Sequence, residues 1–418
     1  MKYKYLNIKY ALINASFMFM VCATSGYAYN FLSQSGFADG TIGIIIATIS
    51  ICGLFGQTIS GSIIDKSKTL TEKKFITGAM ILTIVMAFIL AFMPNNSIFM
   101  IIFTILTFMT AALSLPFFNS MAFIYEKDGQ KINYGFGRGI GSAAYAVGSS
   151  LLGRLWGMMG KSIMPWYIAA FAGLSGLLMQ LMPEPSKEAA EAAEKESEAA
   201  SENKKKDLSY AAFLRKYNKI PIIVLSMILM YFCHMLINTY IAKIIANIMG
   251  DAAGGQGSVE SVQGTVLFIA AMVELPTMFA FSKILEKVSI NKIMIFAAVM
   301  YSVKHVLTWI CPNVTMLYFV MVLQMFSYAA LVPAAVYFAN TYVNEEDRNK
   351  GQAVMGITLT CGSLLASLLG GQLFQHLGVS NVVLIGAIAS CIGTALMILG
   401  IRRLEAGKPE ENAKTASN

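Results

Sequence analysis

Apolar runs of about 20 residues, long enough to cross the ~30 Å hydrocarbon core of a bilayer, recur along this chain from end to end. A soluble fold has no interior large enough for so many. With 56% of the 418 residues hydrophobic and 13% charged, the composition lies well outside that of soluble domains. Twelve runs fall near residues 8–32, 42–64, 75–93, 98–122, 134–158, 163–182, 220–248, 262–285, 292–310, 314–341, 351–374 and 380–401. They are continuous rather than alternating, which predicts helices and not the strands of a barrel. The fold class read from this pattern is an all-α integral membrane protein with twelve transmembrane helices. The first run follows Lys2, Lys4 and Lys9, but it exceeds a signal core and lacks a small-residue cleavage site, so it reads as a retained helix.

The net charge of +8 does not indicate nucleic acid, because the basic residues fall in alternate loops. Lys66, Lys68, Lys73 and Lys74 follow the second run, Lys127 and Lys131 the fourth, and Lys283, Lys287 and Lys292 the eighth. The "PNNS" (94–97) and "PNVT" (312–315) loops carry no charge. This is the positive-inside pattern, and it predicts a multi-pass protein of the cytoplasmic membrane with both termini in the cytoplasm. The six cysteines (22, 52, 233, 311, 361 and 391) are scattered, with no pair at metal-ligand or redox spacing. No HExxH, GxSxG or P-loop occurs and there are only three histidines. The expectation is a chain that is not an enzyme and holds no cofactor or metal.

One long polar run, "PEPSKEAAEAAEKESEAASENKKKD", divides the chain at its midpoint. Its composition suits a solvated tether. The expected organisation is an N-terminal six-helix bundle (1–183), a cytoplasmic linker (184–219), a C-terminal six-helix bundle (220–402) and a polar tail (403–418). Two signals suggest that the halves are duplicates. "GSSLLGRL" (148–155) and "GSLLASLLGGQL" (362–373) are both small-residue faces that permit close helix approach, and "GSIIDKS" (61–67) has a degenerate counterpart in "FSKILEK" (281–287).

An ionisable side chain at the bilayer centre costs at least about 2.5 kcal/mol on insertion scales, so such residues are functional candidates by default. They are Arg138, His234, Glu274 and the adjacent Lys304 and His305. Lys243 and Glu126 lie nearer helix ends, where they can reach the membrane surface. Tyr134, Arg138, Gly141 and Tyr145 are spaced by four, three and four residues, which places them on one helical face. A guanidinium offers forked donors to hydroxyls or carboxylates, and the tyrosine offers a flat surface for a ring. That face is expected to look inward. Glu274 has no charged neighbour in sequence and needs a partner from another helix, with Lys304, His305 or Arg138 as suppliers. Tyr231, His234 and Asn238 form a polar stripe on the seventh run, and Asn119 and Gln324 are amides suited to reading hydroxyls.

Twelve helices in a 6+6 arrangement, a charged central loop and Gly61 to Asp65 as GxxxD resemble the major facilitator superfamily. Four stretches are similar to its lactose permease branch, the oligosaccharide:proton symporters: residues 41–66, 133–148, "MVELPT" (272–277) and "SVKHV" (302–306). The resemblance implies two pseudo-symmetric bundles around a central cavity, with Gly61 and Asp65 in conformational gating. It further implies that Arg138 binds sugar hydroxyls, that Tyr145 stacks on the sugar ring, that Glu274 accepts hydroxyls and couples the halves, and that Lys304 stands at a coupling position. The chain departs from that branch in having Gln324 and Ser327 at the usual histidine and proton-carrying glutamate, Asn119 and Ser120 near the usual helix-four carboxylate, and His234 for an acidic residue.

The expected function is secondary transport of a small polar solute, a sugar or oligosaccharide first, imported by alternating access and coupled to protons through Glu274, Lys304 or His305. Substrate contacts are assigned to Arg138, Tyr145, Asn119, His234, Asn238, Glu274 and Gln324. The partners are then a small-molecule solute, protons and membrane lipids, with the chain a monomer. The alternatives are an uncoupled facilitator, an importer of nucleosides or organic acids, a drug efflux antiporter and, from a different class, a non-transporting membrane sensor.

Overall fold

A computed structural model describes residues 5–66, 70–127, 129–130, 132–184, 209–250 and 256–406. Among the described residues no strand occurs, and eleven helices are long and apolar enough to cross a membrane. One of these, Tyr134–Gln180, spans 47 residues and breaks at the single 3-10 turn Gly160–Ser162, where Gly160 adopts a positive φ of 68°. It therefore forms two spans, which brings the count to twelve. We number them α1 (Leu6–Gly26), α2 (Asp39–Lys66), α3 (Glu72–Ala91), α4 (Ile98–Ala122), α5 (Tyr134–Met159), α6 (Ile163–Gln180), α7 (Ile220–Thr239), α8 (Gln256–Lys287), α9 (Ile290–Trp309), α10 (Val314–Tyr342), α11 (Arg348–Leu377) and α12 (Val379–Glu405).

The uncharged loops begin helices by capping them. Ser97 accepts a hydrogen bond from the Met100 amide at 3.1 Å and Asn313 from the Met316 amide at 2.9 Å, each satisfying one of the four amides a helix start leaves unpaired. Thr71 and Asn133 do the same for α3 and α5. Most of the expected central linker, residues 185–208, lies outside the described residues, as does most of the tail, 407–418.

The described chain forms two compact units. The first comprises residues 1–206, 238–272 and 367–377; the second comprises 207–237, 273–366 and 378–418. In the first, α1 lies along α5, α3 packs on α4 and α6, and α2 packs on α4. The α1 contact is a glycine seam, with Gly137 against Tyr10, Gly141 against Asn14 and Met18, and Gly148 against Phe19 and Cys22. In the second, α9 packs between α10 and α12, and its buried face joins α7 in a core that includes Met227, Met230, Met294, Ala297, Leu331 and Phe338. Near α7, Lys216 pairs with Asp347 at 2.6 Å, which holds the ammonium above its usual range.

Two crossings in the first unit bring backbones into direct contact. Gly43 of α2 faces Ser367 and Gly371 of α11, and Gly153 of α5 faces Glu260 while Ser149 faces Gly264 of α8. A side chain at any of these glycines would overlap the opposing main chain. These are the small-residue faces at 148–155 and 362–373, here used for close approach as their composition implies. Tyr240 and Tyr27 bridge them, donating to the Ser367 and Ser149 carbonyls at 3.0 and 2.7 Å. Lys243 pairs with Asp39 at the start of α2, whose other oxygen accepts from Tyr29 at 2.7 Å. Both crossings lie at the end that carries the 94–97 loop, to which Lys161 ties the chain by donating to Asn95 Oδ1 at 2.7 Å.

The glycine requirement is testable. Gly371→Val forces the α11 backbone off α2, and overpacking of this kind costs about 1–3 kcal/mol. The variant is expected to melt at a lower temperature than the native chain in detergent, whereas Gly61→Val, at a position where an added Cβ meets nothing within 4 Å, should leave the melting temperature unchanged.

Candidate functional site

The second unit gathers five of the sequence-predicted residues from three elements and the end of α8. Lys304, His305, His234 and Gln324 are all buried, while Glu274 is half-buried. Glu274 sits two residues before Pro276, whose ring removes the helical donor that would serve the Met272 carbonyl. Gln324 sits in a 3-10 turn, Leu323–Met325, that interrupts α10. A short 3-10 stretch inside a helix often marks a hinge or a functional site.

The partner that Glu274 requires is Gln324, an arrangement the sequence did not suggest. The amide uses both ends: Lys304 donates to Gln324 Oε1, and Gln324 Nε2 donates to Glu274 Oε1 at 2.8 Å. A cation and a carboxylate are thus joined through a neutral bridge. Gln324 is the joint of the cluster.

Beside this chain lies a box of rings. His234 stacks on Tyr328 with centroids 4.8 Å apart and planes inclined by 17°, and meets Tyr301 edge-on at 5.7 Å. Tyr301 meets His305 at 5.3 Å and Tyr231 at 6.2 Å. Neither ring nitrogen of His305 has a hydrogen-bond partner, and the Tyr301 hydroxyl has none either. An unpaired buried polar group costs about 1–3 kcal/mol, and three such atoms lie close together here.

The first unit holds the remaining candidates. Arg138 is exposed. Tyr145 is half-buried, its hydroxyl 3.4 Å from Ser25 Oγ. Ser25 lies in the π turn Cys22–Gly26 of α1, a feature frequent at functional positions. Gly141 lies in the same unbroken helix as Arg138 and packs on Asn14 and Met18 of α1. Asn238 is half-buried in this unit. Gly61 lies in α2, and the side chains of Asp65, Asn119 and Glu126 fall outside the described residues. No group of three or more metal-ligating side chains occurs among the described residues.

Sequence reasoning missed a further carboxylate. It placed Glu260 before the eighth run, leaving Glu274 as the sole mid-helix acid; the helix in fact starts at Gln256 and buries Glu260 to 3% exposure. The Gly-rich stretch 250–257 read as loop, and the signal that could have found it is the four-residue spacing of Glu260 and Gly264 ahead of the apolar run.

A sequence model of the MFS_1 like family matches residues 9–384. The chain belongs to the MFS_1 like family. Its fold is that of major facilitator transporters, and the protein is a multi-pass membrane transporter. A nucleoside transporter, NupG, superimposes with a TM-score of 0.76 at 13% identity, covering 96% of this chain and 99% of that one. A D-xylose–proton symporter gives 0.66 at 12% identity over 99% and 100%. A bacterial homologue of the iron transporter ferroportin in an inward-facing state gives 0.70 at 12% identity over 95% and 98%. No curated protein matches the sequence.

The bridge in this MFS_1-like chain makes a defined prediction. Gln324→Leu leaves Lys304 and Glu274 without their shared partner, and should destabilise the protein by about 1–3 kcal/mol. In a double-mutant cycle with Lys304→Met, the two losses should fall short of additive; full additivity in detergent unfolding would show that the bridge carries no coupling.

Proposed function

We propose that this MFS_1-like protein is a secondary transporter that moves a small hydroxyl-bearing solute, a sugar or a nucleoside, by alternating access, with uptake coupled to protons. The observation that carries the reading is the Lys304–Gln324–Glu274 chain, set beside His305 and Tyr301 with their unpartnered atoms. A carboxylate, an amide and an ammonium in one row offer acceptors and donors at hydroxyl spacing, and the flanking tyrosine and histidine rings offer flat surfaces for a sugar or a base. The likeness in fold to a nucleoside transporter and to a D-xylose–proton symporter supports a solute of this kind.

Proton coupling is assigned to Glu274 with His305 nearby. When the carboxylate takes a proton, its charge-assisted bond to the Gln324 amide becomes a neutral one, the amide turns more freely toward Lys304, and the row is rearranged for the solute. Arg138 and Tyr145 supply contacts from the N-terminal half, Arg138 by its forked donors and Tyr145 by its ring, and Asn119, His234 and Asn238 are secondary contacts. Gly61 and Asp65 are assigned to gating. The same reading places the chain in the cytoplasmic membrane as a monomer, with both termini in the cytoplasm.

Uptake into proteoliposomes of labelled monosaccharides, disaccharides, nucleosides and uronates, with and without an inward proton gradient, tests this directly. One saccharide or nucleoside should accumulate against its gradient. Glu274→Gln should lower that accumulation by about tenfold to a hundredfold, the equivalent of one charge-assisted hydrogen bond of about 1.5–3 kcal/mol. Equilibration without accumulation would make the protein a facilitator, and no uptake of any member of the panel would overturn the solute assignment.

A further inference from the structure

Among the described residues Glu260 is the most enclosed carboxylate of the first unit, and its surroundings are neutral. Oε1 accepts from Asn30 Nδ2 at 3.0 Å and from Gln34 Nε2 at 2.8 Å, while Oε2 is buried with no partner. Asn30 Nδ2 also donates to Gln263 Oε1 at 2.8 Å, and Asn30 Oδ1 is likewise buried and unpartnered. Gln263 in turn donates to the Gly26 carbonyl at 2.6 Å, at the end of the π turn of α1. Gln34 is held from its other side by Trp156 Nε1 at 3.0 Å.

Among the described residues no cation lies within ion-pair distance of Glu260. The titratable and charged groups around it are accounted for elsewhere. Tyr27 gives its proton chiefly to the Ser149 carbonyl and approaches only the main-chain oxygen of Glu260, at 3.4 Å. Lys161 is committed to Gln34 O, Ser35 and Asn95. Asp39 and Lys243 pair with each other, and Arg154 of α5 is exposed. An ionised carboxylate buried among neutral amides, with one oxygen bare, is among the costliest arrangements a protein can hold.

One hydrogen removes the difficulty. Asn30 already gives Glu260 the amide arm of an amide–acid pair, and a proton on Oε2 supplies the donor that the two bare acceptors lack. Glu260 also stands in the α5–α8 crossing, where Gly153 contacts its main chain, so it cannot be wetted unless that crossing parts. We infer that Glu260 carries a proton whenever α5 and α8 are packed together at this end of the protein, and that giving this proton to incoming water drives the crossing apart. Glu260 is thus the gate's proton-bearing residue, distinct from the solute site at Glu274. Acid closes this end and alkali opens it, with one proton released per opening and retaken on closing.

The inference rests on the transport reading only in that parting of the crossing is a step of the cycle. Its test uses no solute, so its failure and the failure of the solute assignment are separate results. Trp156, buried at 1% exposure with its ring stacked on Tyr27, is a built-in reporter of the crossing. In the full chain with Trp166→Phe and Trp309→Phe, held in lipid nanodiscs, raising the pH should move Trp156 emission to the red. Within the transition the closed-to-open ratio should fall about tenfold per pH unit, as linkage to one proton requires. Glu260→Gln, which keeps the amide contacts of the neutral acid, should hold the blue-shifted emission at every pH.

Infrared difference spectra of the chain with Glu260 intact should lose a protonated-carboxyl band at the same midpoint, a readout that stands even if the variant folds poorly. The same red shift in Glu260→Gln would overturn the inference, as would the absence of any shift with Glu260 present. Restoration of the blue emission by sodium alone at high pH would also overturn it, by making the site one for a metal cation.

Discussion

Hydrocarbon offers no hydrogen bonds, so each polar atom carried into these helices must find its partner inside the protein. The architecture follows from how that demand is met. The helical backbone satisfies itself; serine and threonine hydroxyls fold back onto carbonyls of the preceding turn, as Thr83, Thr308 and Ser327 do. Charged and amide groups have no such local solution. They are therefore drawn into clusters, and it is at those clusters that the helices depart from regular geometry: the π turn of α1 beside Tyr145 and Gln263, and the 3-10 turn of α10 at Gln324.

The two clusters solve the demand in opposite ways. Around Gln324, an amide separates a cation from a carboxylate and leaves neighbouring ring atoms unpaired, an arrangement that is stable yet incomplete. Around Glu260, a carboxylate is held by amides, with no cation among the described residues at ion-pair distance. Incompleteness of the first kind suits a solute that comes and goes, and of the second suits a proton. A transporter needs both, because binding must be tied to a change in which helices touch.

Much of this was legible in the sequence. Twelve apolar runs became twelve spans because bilayer thickness fixes helix length, and the small residues at 148–155 and 362–373 became the backbone crossings because only glycine and serine allow that approach. What escaped was pairing between distant segments. Nothing in "LQMFSYA" says that its glutamine will bridge Lys304 and Glu274, since the three residues come from three helices. Glu260 was hidden by its setting in a Gly-rich stretch, and the seam that Gly141 makes with α1 depends on a helix more than a hundred positions earlier. The pairing of Lys243 was equally hidden, because its partner, Asp39, lies some two hundred positions earlier.

The central claim, that a solute completes the Lys304–Gln324–Glu274 row, is tested most directly by hydrogen–deuterium exchange on the full chain in nanodiscs, with and without the solute that uptake selects. The account predicts slowed exchange in α9 and α10 around Lys304 and Gln324, lost in Lys304→Met. Protection confined to other helices, or protection that survives Lys304→Met unchanged, would contradict it.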